Sequence, residues 1–158
     1  MIGNIIGIVS AVIGTWGFCL MLRVRMHRFP AIGISTALCY GIYLLLLFIT
    51  SSDMFSVFIA SVSASLMSEL CARWFKAPVT VFLIPTILPF VPGAALYYTI
   101  DNFFRGELND ALHFFAVTGK TIGAILLGII TVATIAKCLR NHLRWKKNDP
   151  TLKYISGK

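Results

Sequence analysis

Three prolines, Pro85, Pro89 and Pro92, the last followed by Gly93, stand inside an apolar stretch from Ala77 to Ile100 that is long enough to cross a bilayer. Each proline lacks an amide donor, and its ring strikes the carbonyl four residues back, a cost of about 3 kcal/mol in a helix interior. The carbonyls of Val81, Pro85 and Leu88 thereby lose their usual helical partners. Pro92 suits the first position of a new half-helix running outward through Tyr97. The amides of Gly93, Ala94 and Ala95 would then stand unpaired in the middle of the membrane with a helix dipole behind them. That is a seat for an anionic group such as a carboxylate. Glycine allows a ligand close to the backbone, and Thr80, Thr86 or Tyr97 could read a hydroxyl or second polar group on the same solute. The alternative is a structural kink whose freed carbonyls are met by hydroxyls or water from neighbouring helices.

Lys120 is the second group with chemistry to offer. If its helix enters the membrane near Ala111, the ammonium lies roughly 13 Å deep, level with the proline break, where a charge must face a cavity or an anion. If the span runs instead from Thr121 to Leu139, Lys120 sits at the outer interface with its side chain snorkelling. Glu69 and Arg73, at i, i+4 near the inner end of the third span, form either a boundary ion pair or a gating or coupling element beside the entrance to the fourth. Asp101, Glu107, Asp110 and His113 surround one outer loop without metal-ligand spacing, and Asp110 reads as a helix cap. No phosphate loop, nucleophile elbow or His-Glu-x-x-His pattern occurs, so neither an enzyme nor a cofactor site is expected.

These residues need a frame, and composition says what kind. Of 158 residues, 58% are hydrophobic and only 13% charged, against roughly 25% charged in a soluble domain. An all-α integral membrane protein is the expectation. Nearly uncharged runs cover Met1–Leu22, Phe29–Ser52, Met54–Ser68, Ala77–Ile100 and Ala111–Ala136, which predicts five spans, the fourth broken. With the N-terminus outside, every Lys and Arg except Arg105 and Lys120 faces the cytoplasm, while Asp53, Asp101, Glu107 and Asp110 fall outside. The net charge of +8 is therefore a matter of topology rather than of nucleic-acid binding. The first span reads as a membrane helix rather than a cleaved leader, since no basic residue precedes Arg23 and no small-x-small site closes the run. The four cysteines, Cys19, Cys39, Cys71 and Cys138, lie in or beside apolar segments and read as packing residues.

Small residues at helical spacing recur in four spans, among them Gly7, Gly14 and Gly17; Gly33, Ala37 and Gly41; Ala60, Ser61, Ala64 and Ser68; and Gly119, Gly123 and Gly128. In lipid such faces let helices approach closely. An odd number of spans cannot be two equal halves, so a transporter of this plan needs copies of itself or a second membrane subunit. Two regions result: a five-span membrane region, residues 1–136, and a basic cytoplasmic tail, residues 137–158. In that tail Lys137–Lys147 either binds anionic lipid or only anchors the topology, and the end beyond Asp149-Pro150 is too polar to fold by itself.

The run from Ser68 to Tyr97, SELCARWFKAPVTVFLIPTILPFVPGAALY, resembles the signature of the threonine/serine exporter family, and in particular the small membrane-only subunit of its split form. Glu69, Arg73, Pro78, Pro89, Pro92, Gly93 and Tyr97 match that pattern; Lys120 lies outside it. The rest of the chain agrees in length and hydropathy. The resemblance implies a bacterial inner-membrane exporter subunit moving threonine and serine, or a dicarboxylate such as succinate. It also implies a larger partner with a cytosolic hydrolase-like region and its own spans. A scaffold subunit that stabilises such a partner without touching solute is the alternative.

Overall fold

In a lipid interior the backbone must satisfy its own hydrogen bonds, and uncharged runs of about 20 residues do so as helices. The computed structural model describes Ile2 to Lys147, with side chains from Gly3 to Leu139. It contains six helices: α1 (Ile2–Met21), α2 (Phe29–Thr50), α3 (Asp53–Trp74), α4 (Thr80–Ile87), α5 (Gly93–Arg105) and α6 (Leu108–Lys147). No strand occurs among the described residues. Four helices are long and apolar enough to cross a membrane, and α4 and α5 make a fifth span if counted as one, bent by 56° at the break. The expected unstructured end past Asp149-Pro150 lies outside the described residues. So do the side chains from residue 140 onward on which lipid binding by the tail would rest.

Four helices end on or just before a left-handed residue: Ser51 (φ 52°) closes α2 with its amide on the Leu47 carbonyl. Arg23 (φ 52°), Lys76 (φ 47°) and Gly106 (φ 79°) are each followed by an amide that reaches back to Cys19, Ala72 and Asn102 respectively, the bond that closes a Schellman motif. The turn at Gly106 alters the expected outer loop. Asp101 belongs to α5, where Arg105 Nε lies 3.0 Å from its carboxylate, and Asp110 sits in the first turn of α6, not at its cap. Only Gly106 and Glu107 separate the two helices.

The bundle is organised around α3 and α6. Ala60, Ser61, Ala64, Ser65 and Ser68 are buried, and Gly128 of α6 lies so close that a Cβ there would stand 2.8 Å from Ser61 Cβ and 3.1 Å from the Phe58 carbonyl oxygen. At one end Asp53 and Val57 share a hollow with Val117 and Thr121; at the other, Glu69 and Arg73 share one with Ala136 and Leu139. The helices therefore run in the same direction and in register. Asp53 stands level with Lys120, and Leu70 with Lys137, to within about a turn. Lys120 and Lys137 are then about 25 Å apart along α6, close to the ~30 Å thickness of a bilayer core. Of the two depths the sequence leaves open for Lys120, this register favours the outer interface over the middle of the membrane. Lys120 is exposed and lies at the level of the α2–α3 turn.

Candidate functional site

Pro85 does not break the fourth span. It sits inside α4, fully buried, and the amide of Leu88 still reaches the Pro85 carbonyl. The interruption comes at Leu88–Phe90, a single 3-10 turn in which the Val91 amide bonds to the Leu88 carbonyl at 3.2 Å. Val91 is extended (ψ 126°), as expected of a residue before proline. Pro92 follows with φ −77° and ψ 63°, and the Gly93 amide donates to the Val91 carbonyl at 2.8 Å. This is an inverse γ-turn. Two of the carbonyls expected to be free, those of Pro85 and Leu88, are thus occupied, and one of the three expected free amides, that of Gly93, is spent on the turn. The helical ladder of α5 resumes with the Leu96 amide on the Pro92 carbonyl at 3.0 Å. Among the described residues the amides of Ala94 and Ala95 find no partner, and no side chain caps α5.

Those two amides border a hollow of about 290 Å³ lined by Tyr40, Tyr43, Asp53, Val57, Pro89, Phe90, Val91, Pro92, Gly93, Ala94, Ala95, Val117 and Thr121. Its volume is at the small end of the ~300–1,000 Å³ range of small-molecule sites. Buried Phe90 packs against Tyr40 (ring centroids 6.2 Å, stacked) and edge-on to Tyr43 (5.9 Å), so the break is wedged against α2. Tyr43 Oη donates to Asp53 Oδ1 at 2.8 Å. Two larger hollows, of about 460 Å³ between α5 and α6 and about 560 Å³ along α1, are walled almost wholly by apolar side chains. Size alone does not pick out the site; convergence of polar groups with unpaired backbone does.

Because α4 and its 3-10 turn rise only roughly 18 Å from Thr80, and because Asp53 lines the hollow, the break lies toward the α2–α3 turn. The expected midway pocket is displaced toward that end.

Of the residues the sequence singled out, Pro89, Pro92, Gly93, Ala94 and Ala95 meet at this hollow. Thr86 does not: it is fully buried and its hydroxyl donates to the Phe82 carbonyl of its own helix at 2.8 Å. Tyr97 is 63% exposed and contacts Tyr98, on a face turned from the hollow. Thr80 and Lys120 are exposed and are not among its walls. Glu69 and Arg73 do pair, at 3.8 Å, but in a separate hollow of about 250 Å³ between α3 and α6, not beside the entrance to α4. Among the described residues no group of three His, Cys, Asp or Glu is placed to hold a metal ion.

Sequence reasoning missed Tyr40, Tyr43 and Asp53. One signal was available: Tyr40 and Tyr43, three residues apart, share a helix face and are the only two tyrosines between Phe29 and Ser52.

A family model described as Threonine/Serine exporter, ThrE, matches residues 7–135. No curated protein and no solved structure matches the chain.

Proposed function

Since the chain belongs to the threonine/serine exporter family, we propose that it is the membrane subunit of a secondary exporter that holds a small carboxylate-bearing solute in the hollow at the α4–α5 break. It is a multi-pass membrane protein. The solute carboxylate sits on the amides of Ala94 and Ala95, where the dipole of α5 favours negative charge. Walls from α2, α3 and α6 line one side of that irregular backbone, while Val91, Gly93 and Ala94 are exposed on the other, which a partner would cover so that the break is tolerated in a membrane. With the orientation read from the basic residues, this hollow opens toward the outer side. Inward opening would require α4 to move against α2 and α3. We further infer a larger partner subunit completing the odd set of spans, with Glu69 and Arg73 at the inner end of the α3–α6 hollow as a gating pair.

The observation that carries this reading is the coincidence of unpaired amides with a hollow lined from four helices in a chain of an exporter family. Site-directed labelling tests it. Cys19, Cys39 and Cys71 are buried and Cys138 is exposed, so Ala94→Cys is placed in a Cys138→Ser background. In vesicles carrying the chain with its partner, threonine or serine should slow labelling at position 94, and labelled threonine should be exported. Labelling at 94 that no solute slows, with export intact, would instead make the chain a scaffold whose partner binds the solute.

A further inference from the structure

Two helix N-termini border the same hollow and meet their dipoles differently. α5 begins on Gly93 with no acid in its first turn. α3 begins on Asp53, whose carboxylate sits at the favourable end of its own helix and also accepts the Tyr43 hydroxyl at 2.8 Å. That hydrogen bond engages Oδ1 and fixes the carboxylate; Oδ2 is given no protein donor. Among the described residues no cationic group lies within 4 Å of Asp53. One wall of the hollow thus carries a carboxyl group with no cationic neighbour, and the opposite wall carries two amides suited to an anion.

A dicarboxylate seated on Ala94 and Ala95 would bring its second negative charge toward Asp53, and like charges at such range repel. An α-amino acid fills both seats, its carboxylate on the amides and its ammonium on the acid. We propose that Asp53 receives the α-ammonium of the solute, with Tyr43 as its positioning residue, so that the hollow selects zwitterionic amino acids over dicarboxylates. This rests on the solute-binding reading of the hollow given above and narrows its substrate class.

The test measures binding of labelled threonine, of its analogue bearing a hydroxyl in place of the ammonium (2,3-dihydroxybutanoate), and of succinate, to the purified chain with its partner in vesicles. Wild type should prefer threonine to both. Asp53→Asn keeps an acceptor for Tyr43 and a side-chain oxygen at the start of α3. It should weaken threonine by about 10- to 100-fold, the value of a charge-assisted hydrogen bond, and leave the deaminated analogue unchanged or tighter. Tyr43→Phe should lower the same selectivity ratio by a smaller factor, again without weakening the analogue. Equal losses for threonine and analogue in Asp53→Asn, or no loss for threonine, would overturn the assignment. Gly93→Val separates the two levels. If it abolishes threonine binding while Asp53→Asn does not, the hollow still binds solute and only the role of Asp53 is wrong. If neither substitution touches threonine binding, the solute lies elsewhere.

Discussion

The α3–α6 seam and the α4–α5 break handle the same problem, polar backbone in lipid, by opposite means. Along the seam the ladder is continuous, and two of the buried hydroxyls are turned inward on their own helix: Ser61 donates to the Val57 carbonyl at 2.8 Å and Ser68 to that of Ala64 at 2.7 Å. Of the buried seam hydroxyls only that of Ser65 lacks a partner among the described residues, and the small side chains serve to bring the helices close. At the break, prolines remove donors, a γ-turn and a 3-10 turn recover some of the bonds, and two amides remain free beside a hollow. The seam is a frame and the break is the place where the frame leaves chemistry exposed.

The same substitution at one glycine of each region separates them most sharply. At Gly128 the nearest atoms to an added Cβ are Ser61 Cβ and the backbone of Phe58 and Val62, which cannot swing aside. Gly128→Val should destabilise the protein by roughly 3 kcal/mol, the upper end of the overpacking range, read as a lowered midpoint of unfolding in detergent. At Gly93 an added Cβ meets nothing within 4 Å, because the open space is the hollow itself. Gly93→Val should unfold within about 0.5 kcal/mol of wild type, as at an uncrowded site, yet bind no threonine. Equal destabilisation at both positions would mean that the break is packed as tightly as the seam.

How much of this was legible in the sequence follows the same division. Pro89 and Pro92-Gly93 announce the break because proline acts on its own backbone, whatever surrounds it, and the charge-free runs announce the helices. What could not be read was anything set by helix rotation and register. Lys120 lies at the right level on α6, but its neighbour Thr121 is the one that turns to the hollow. Asp53 looked like one more acid in an outer turn until Tyr43 of α2 was found reaching it across the α2–α3 turn. The Gly93 amide looked free because a γ-turn is a local choice of backbone angles that the sequence Val-Pro-Gly permits without dictating. Single-helix chemistry is visible early; sites made by several helices wait for their packing.

An intermediate case lies between α1 and α2. A Cβ on Gly33 would stand 2.7 Å from Trp16 Nε1, which donates to the Phe29 carbonyl at 3.1 Å. Here the obstructing atom is on a side chain that is 41% exposed and free to rotate. Gly33→Ala should therefore cost about 1 kcal/mol, the worth of one hydrogen bond, well below Gly128→Val. A shift in Trp16 fluorescence should accompany it. A loss as large as that at Gly128 would extend the rigid frame to include α1.

The smallest effect concerns the turn that joins the frame to the broken span. Lys76 ends α3 at φ 47°, a left-handed conformation that costs an L-residue roughly 1–2 kcal/mol and costs glycine nothing, and the Ala77 amide closes the turn onto Ala72. Gly106 performs the same task between α5 and α6 at φ 79° without that strain. Lys76→Gly should stabilise the fold, by less than about 1 kcal/mol because glycine also gains freedom in the unfolded chain. The lysine is strained for a reason that stability does not measure: it adds positive charge at the end of α3, where the distribution of basic residues sets orientation. The substitution should therefore raise the unfolding midpoint slightly while increasing the fraction of chains inserted the wrong way round, read by accessibility of the exposed Cys138 from each side of the membrane. A lowered midpoint would mean that the Lys76 side chain holds α3 to α4 directly, and the boundary between frame and broken span would have to be drawn beyond this turn.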